Sequence, residues 1–144
     1  MAQFIGSSMA RGFAGSLTRG AYDNTVEARQ NDASAPVAAF GLPLKLKGSA
    51  VTPAGGADAG SVIGFSVREY KQADMAGAVS LPFVSVLRRG YLAVSAAGTP
   101  AAGGKVYLDS KGKITAAATN DAIPGAVFMG SADADGLAEI AFNI

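Results

Sequence analysis

The sequence predicts an all-β protein, a small antiparallel β-sandwich or barrel of jelly-roll-like form, preceded by an N-terminal extended arm. Three observations predict it. About eight short apolar segments recur between clusters of Gly, Pro and Asp, the pattern of strands joined by tight turns. The chain's final stretch reads as two β-hairpins in series. No segment of the body holds a helical period long enough for a βαβ unit.

Composition agrees. At 144 residues the chain has room for one domain with a real core. With 19 Gly and 6 Pro but only 16% charged residues, it favours turns and small side chains over a large enzyme core. A net charge of +1 gives no electrostatic case for nucleic acid or a membrane surface as partner. Cys and His are absent, which removes disulfides, thiolate ligands, the commonest general base and the commonest zinc ligand, so no cofactor or metal is expected. No apolar run reaches the roughly 18 residues of a membrane helix. Met1-Ala2-Gln3 holds no basic side chain before Phe4-Ile5, and Arg11 interrupts the apolar run, so a secretory signal is not expected and synthesis is placed in the cytoplasm.

Two parts are expected, an arm over residues 1–34 and a body over residues 35–144. In the arm, Ile5, Met9, Phe13 and Leu17 recur every four residues, which would set them on one helical face. Gly6, Gly12, Gly15 and Gly20 each cost such a helix about 1 kcal/mol relative to Ala. Two readings stay open: a short helix packed on its own domain, or an arm that orders against a neighbour. Asn24-Thr25-Val26-Glu27 has the form of a capping box opening another helical turn.

In the body, Leu42, Leu44 and Leu46 alternate with Pro43, Lys45 and Lys47 as in a half-buried strand, with Pro43 pointing to an edge or a bulge. Residues 53–60 read as a flexible loop. Residues 61–70 form a strand with Ile63, Phe65 and Val67 on one face, and residues 71–77 a polar connection. Residues 82–89 and 91–95 read as two strands around Gly90. After an Ala- and Gly-rich loop, Lys105 to Leu108 begins the first terminal hairpin, turned by Asp109-Ser110-Lys111-Gly112. Gly125 to Gly130 enters the second, turned by Asp133-Ala134-Asp135-Gly136, and Leu137 to Ile144 returns. Both turns fit a type I turn followed by a glycine bulge. The expected core is Phe65, Val67, Val84, Val86, Val106, Leu108, Val127, Phe128 and Ile140.

Chemical motifs fail in turn. Residues 98–105 have the glycines of a phosphate loop in the wrong places, and a strand follows instead of a helix. Asp133, Asp135, Gly136 and Glu139 are a fragment of a calcium loop with too few ligands, and a hairpin turn explains them better. Arg88-Arg89 could grip a carboxylate or phosphate, but a solvated strand end is the commoner setting. Tyr70, Tyr91 and Tyr107 are too scattered for a base-stacking platform.

The segment Met9-Ala10-Arg11-Gly12-Phe13-Ala14-Gly15, followed by Phe40-Gly41-Leu42-Pro43-Leu44, resembles the opening of tailed-bacteriophage structural cement proteins. The ending, from Gly104-Lys105-Val106-Tyr107-Leu108-Asp109 through Gly125-Ala126-Val127-Phe128 to Asp135-Gly136-Leu137, is similar to the close of that family and of related capsid decoration proteins. Residues 49–77 carry no signature of it. The resemblance implies a β domain without enzymatic activity that sits on the outside of the phage head and bridges neighbouring major capsid protein subunits. It implies a virion location, and a homo-oligomer, a dimer before a trimer. The expected interface lies on the arm: Phe4, Ile5, Met9, Arg11, Phe13, Leu17 and Arg19.

Two other classes compete. A carbohydrate-binding or adhesin-like β module would normally show exposed aromatics, yet Trp is absent and aromatics are 8%. A small carboxylate hydrolase has eleven Asp and Glu to draw on, but no motif pairs them.

Overall fold

The computed structural model describes residues 12–68 and 82–144. Among these residues nine strands follow in order: β1 (Thr25–Asn31), β2 (Pro43–Lys47), β3 (Ala50–Pro53), β4 (Val62–Ser66), β5 (Phe83–Ser95), β6 (Lys105–Leu108), β7 (Ile114–Thr115), β8 (Asp121–Phe128) and β9 (Leu137–Phe142). Among the described residues strand accounts for 47% and helix for 7%, so the fold is nearly all-β as expected.

Of the two expected architectures, the barrel forms. Five strands close it in the order β1-β3-β2-β4-β5, with β1 pairing again with β5. Strand β5 continues into a second sheet, β5-β9-β8-β6-β7. A bridge from Ala97 to Thr115 draws the far strand of that sheet back to the continuation of β5. Among the described residues pairing is antiparallel except at the Ala97–Thr115 bridge and between β1 and β3, where Gln30 faces Ala50 and Asn31 faces Val51 in parallel.

The two strands expected around Gly90 are one strand, Phe83–Ser95. Thr25 faces Arg89 and Val26 faces Leu87, which leaves Arg88 as an extra residue, a β-bulge. Gly90 follows with φ +140, a conformation that side chains with a Cβ rarely adopt. One extra residue reverses the alternation of the strand. Val84 and Val86 therefore face the smaller core with Val37, Leu44 and Val51, while Leu87, Leu92 and Val94 face the larger one. The larger core joins both sheets: Phe65 on β4 meets Phe142 on β9 edge-to-face, with centroids 5.1 Å apart. Each such side chain contributes roughly 1.5–3 kcal/mol by leaving water.

Of the expected core residues, Phe65, Val67, Val84, Val86, Val106, Leu108, Phe128 and Ile140 are buried. Val127 is not. It is 36% exposed, because neighbours on a strand point to opposite faces and Phe128 takes the inward one.

Three local expectations are corrected. Pro43 is not on an edge: β2 lies between β3 and β4, and the register shift falls one step later, between Leu44 and Lys45. The expected flexible loop holds a 3-10 turn, Gly56–Ser61. Asp58 fastens it by accepting the Gly55 N–H and the Lys45 ammonium, each at 2.8 Å. The capping box at Asn24 opens a strand, since Thr25–Asn31 pairs along β5 from Thr25 to Gln30. That strand lies inside the segment expected as an arm and belongs to the barrel wall.

The terminal hairpins form with their expected turns. In each, the Asp Oδ1 accepts two N–H groups: from Lys111 and Lys113 at Asp109, and from Asp135 and Leu137 at Asp133. Gly112 and Gly136 close them at φ +79 and +77.

Candidate functional site

The segment ahead of β1 crosses the body as a strap. The Gly15 N–H donates to the Ala93 carbonyl at 2.8 Å, and the Ala93 N–H donates back to Ser16 at 2.9 Å. Leu17 bridges Leu92, and the Arg68 N–H donates to the Gly15 carbonyl at 2.8 Å. At these residues β5 is paired on both edges, by the strap and by β9.

Side chains fasten the strap at both ends. Arg19 donates through Nε and Nη2 to the two carboxylate oxygens of Glu139, each at 3.2 Å, and Thr18 Oγ1 donates to the same carboxylate. The Arg19 guanidinium also lies 4.2 Å from the Tyr91 ring centroid. The hydrogen bond to Glu139, then its charge, raise the Arg19 pKa above its already high ordinary value. At the other end the Arg68 guanidinium lies 4.3 Å from the Phe13 ring and 5.5 Å from Phe40.

The structure places three of the expected interface residues. Phe13 and Leu17 keep 59% and 41% of their surface exposed, and Arg19 is half-exposed beside Glu139. They do not share a helical face, because residues 12–20 form turns and a strand bridge. Phe4, Ile5, Met9 and Arg11 lie outside the described residues. Glu139, Asn24, Tyr91 and Arg68 were not singled out as parts of this surface. Glu139, Tyr91 and Arg68 reach it from far along the chain, so no local pattern marks them, whereas Asn24 lies four and five residues from Gly20 and Arg19.

The remaining candidates resolve into structural roles. Arg88 and Arg29 both donate to Glu27 Oε1 at 2.8 Å, and those bonds, Arg88's first, hold the Glu27 carboxyl below its ordinary pKa. Asp133 serves its turn, and among the described residues no three His, Cys, Asp or Glu side chains form a group that could hold a metal. A cleft of about 340 Å³ opens between the strap and the ends of β2 and β5, lined by residues such as Ala14, Phe40, Leu42, Ala97 and Ile114. Lys113 is the charged residue among those lining it.

Residues 1–143 match a protein-family model described as structural cement protein (E217 gp24/Pam3 gp6). The chain belongs to that family. It is a structural cement protein of a phage capsid, associated with the virion and with capsid proteins. A solved chain titled "The capsid of Myoviridae Phage XM1" has the same fold, with a TM-score of 0.73 at 16% identity over 99% of this chain and 97% of that one. No protein of curated function matches the cement chain.

Proposed function

We propose that this cement protein binds the outer surface of the phage head and bridges neighbouring major capsid protein subunits, without catalysing a reaction. The observation that carries the reading is the strap: backbone hydrogen bonds fix it on β5 while Phe13 and Leu17 keep apolar surface open. A contact surface that is already ordered loses little conformational entropy on binding. In this reading Phe4, Ile5, Met9 and Arg11 extend the surface of Phe13, Leu17 and Arg19. The protein is made in the host cytoplasm, joins the head as a homo-oligomer, a dimer before a trimer, and resists the outward pressure of packaged DNA. Weak sites repeated over a shell gain strength by multivalency.

Co-sedimentation of the purified protein with expanded, undecorated heads tests the reading. Binding should be much tighter to assembled shells than to free capsid subunits, because a bridging site exists only where two subunits meet. It should weaken only modestly with salt, since the chain carries a net charge of +1. No binding at micromolar concentration, or equal binding to free subunits, overturns it.

A further inference from the structure

The barrel has one seam that its described strands close over only part of its length. Strand β1 pairs with β5 from Thr25 to Gln30, but β3 covers its other edge only at Gln30 and Asn31. The directions of the backbone groups follow from two bonds. The Asn31 N–H donates to Pro82, toward β5, and the Asp32 N–H donates to Val51, toward β3. Backbone groups alternate along a strand. Val26 and Ala28 therefore aim their N–H and C=O groups out of the edge that β3 leaves uncovered. Both residues are exposed.

Natural open edges are normally guarded by Pro, Lys, a bulge or a covering loop. This stretch has no Pro and no Lys. Its two charged side chains are committed elsewhere: Arg29 to Glu27, and Glu27 to Arg29 and Arg88. On the outer face beside the seam Val26 is 41% exposed and Phe83 58% exposed, with Ala28, Ser85 and Gln30 on the same face.

We propose that the edge of β1 at Val26 and Ala28 accepts an extended segment of a capsid protein as an added strand. The seam sets the chemistry of that segment. Alternate side chains would lie beside Val26 and Ala28, where apolar groups fit, and beside Glu27 and Arg29, where polar or charged groups fit. Its reach is short, because β3 stops it at Gln30. A second copy of this chain fits the seam poorly. The two-fold register that uses Val26 and Ala28 of both copies sets Glu27 against Glu27, and like charges facing each other across strands are unfavourable. Centring on Ala28 instead sets Val26 against Gln30, whose edge already meets Ala50. The proposal rests on the head-binding reading and names the surface through which one capsid contact is made.

The test is the Ala28→Pro variant in co-sedimentation with undecorated heads. Proline removes an N–H that points away from β5, so the β1–β5 ladder keeps its bonds. Loss of a strand-pairing position should weaken head binding about tenfold or more. Should Ala28→Pro melt early, amide exchange on the wild-type protein decides. Val26 and Ala28 should exchange fast in the free protein and become protected on heads. Wild-type binding by a folded Ala28→Pro variant, unprotected amides on decorated heads, or amides already protected in the free protein would each overturn the added strand while leaving head binding intact. Failure of the wild-type protein itself to bind heads would overturn the broader reading, and this one with it.

Discussion

Asn24 fills the space that a side chain on Gly90 would need: a Cβ built there would collide with the Asn24 amide. Asn24 Oδ1 accepts the Tyr91 N–H at 2.9 Å, and its Nδ2 donates to the carbonyls of Arg19 and Gly20 at 3.1 and 2.9 Å. One side chain thus ties the strap, the start of β1 and the bulged middle of β5. Gly90→Ala meets both the collision and the positive φ, and should destabilise the fold by about 2–3 kcal/mol. Asn24→Ala should cost about 1–2 kcal/mol in lost hydrogen bonds. Urea midpoints of the two single variants and the double variant check the link. The double should cost less than the sum, because Asn24→Ala removes the amide that the methyl group added by Gly90→Ala would strike.

The two hairpin turns allow a matched comparison. Gly112 and Gly136 share nearly the same φ, but a Cβ at Gly136 meets nothing within 4 Å, while one at Gly112 lies 3.0 Å from the Ala54 carbonyl oxygen. Gly136→Ala should therefore carry only the left-handed backbone cost, roughly 1–2 kcal/mol. Gly112→Ala should cost more, since the Ala54 carbonyl must also shift. Equal losses in thermal unfolding would show that the contact with Ala54 does not matter.

These turns were legible in the sequence because an Asp followed three residues later by Gly is a local signal, complete within five residues. Strand β1 was not. Its sequence Thr-Val-Glu-Ala-Arg-Gln-Asn lacks the apolar alternation that marks a strand, because its barrel-side positions are Glu27 and Arg29, neutralised by each other and by Arg88. One of those partners, Arg88, lies 61 residues away, beyond the reach of a local pattern. Gly90 was misread for a related reason. Glycine between two apolar runs commonly marks a turn, and here a bulge carries the strand through. At the strap, Phe13 and Leu17 were singled out from their spacing, but residues 12–20 form turns and a strand bridge, not a helix. Glu139, which fastens the strap, sits 120 residues from Arg19.

Acid should weaken the fold. Folding lowers the pKa of Asp109, chiefly through the Lys113 N–H, of Asp58 through the Lys45 ammonium, and of Asp32 through the Ser34 hydroxyl. A carboxyl lowered by folding contributes stability that is full above its unfolded value, 3.8 for these three, and is lost as pH falls through the lower folded value. Denaturation midpoints should thus change little from neutrality to about pH 5 and fall steeply below about pH 4. Asp109→Asn keeps an acceptor oxygen without the charge. It should be less stable than wild type at pH 7 and lose less on acidification. An unchanged acid profile in that variant would remove Asp109 from the account.

The strap separates two effects that a single truncation would confuse. Deleting Met1 to Arg11 leaves the bonds of Gly15 and Ser16 with Ala93 and the pairing of Arg19 with Glu139. Deleting Met1 to Arg19 removes them all and leaves the Glu139 carboxylate without Thr18 and Arg19. The shorter deletion should melt within about a degree of wild type, and the longer one several degrees lower, as expected from losing about 1–2 kcal/mol in a chain of this size. Both should bind heads less well, because both lack Phe4, Ile5, Met9 and Arg11. Amide exchange at Ala93, whose N–H donates to Ser16, gives the local readout: slow in wild type and the shorter deletion, fast in the longer one. Should the shorter deletion melt as low as the longer one, the bonds from Gly15 to Arg19 are not what holds the strap, and residues 1–11 contribute to the fold itself. Should it bind heads as wild type does, the interface is confined to Phe13, Leu17, Arg19 and the body.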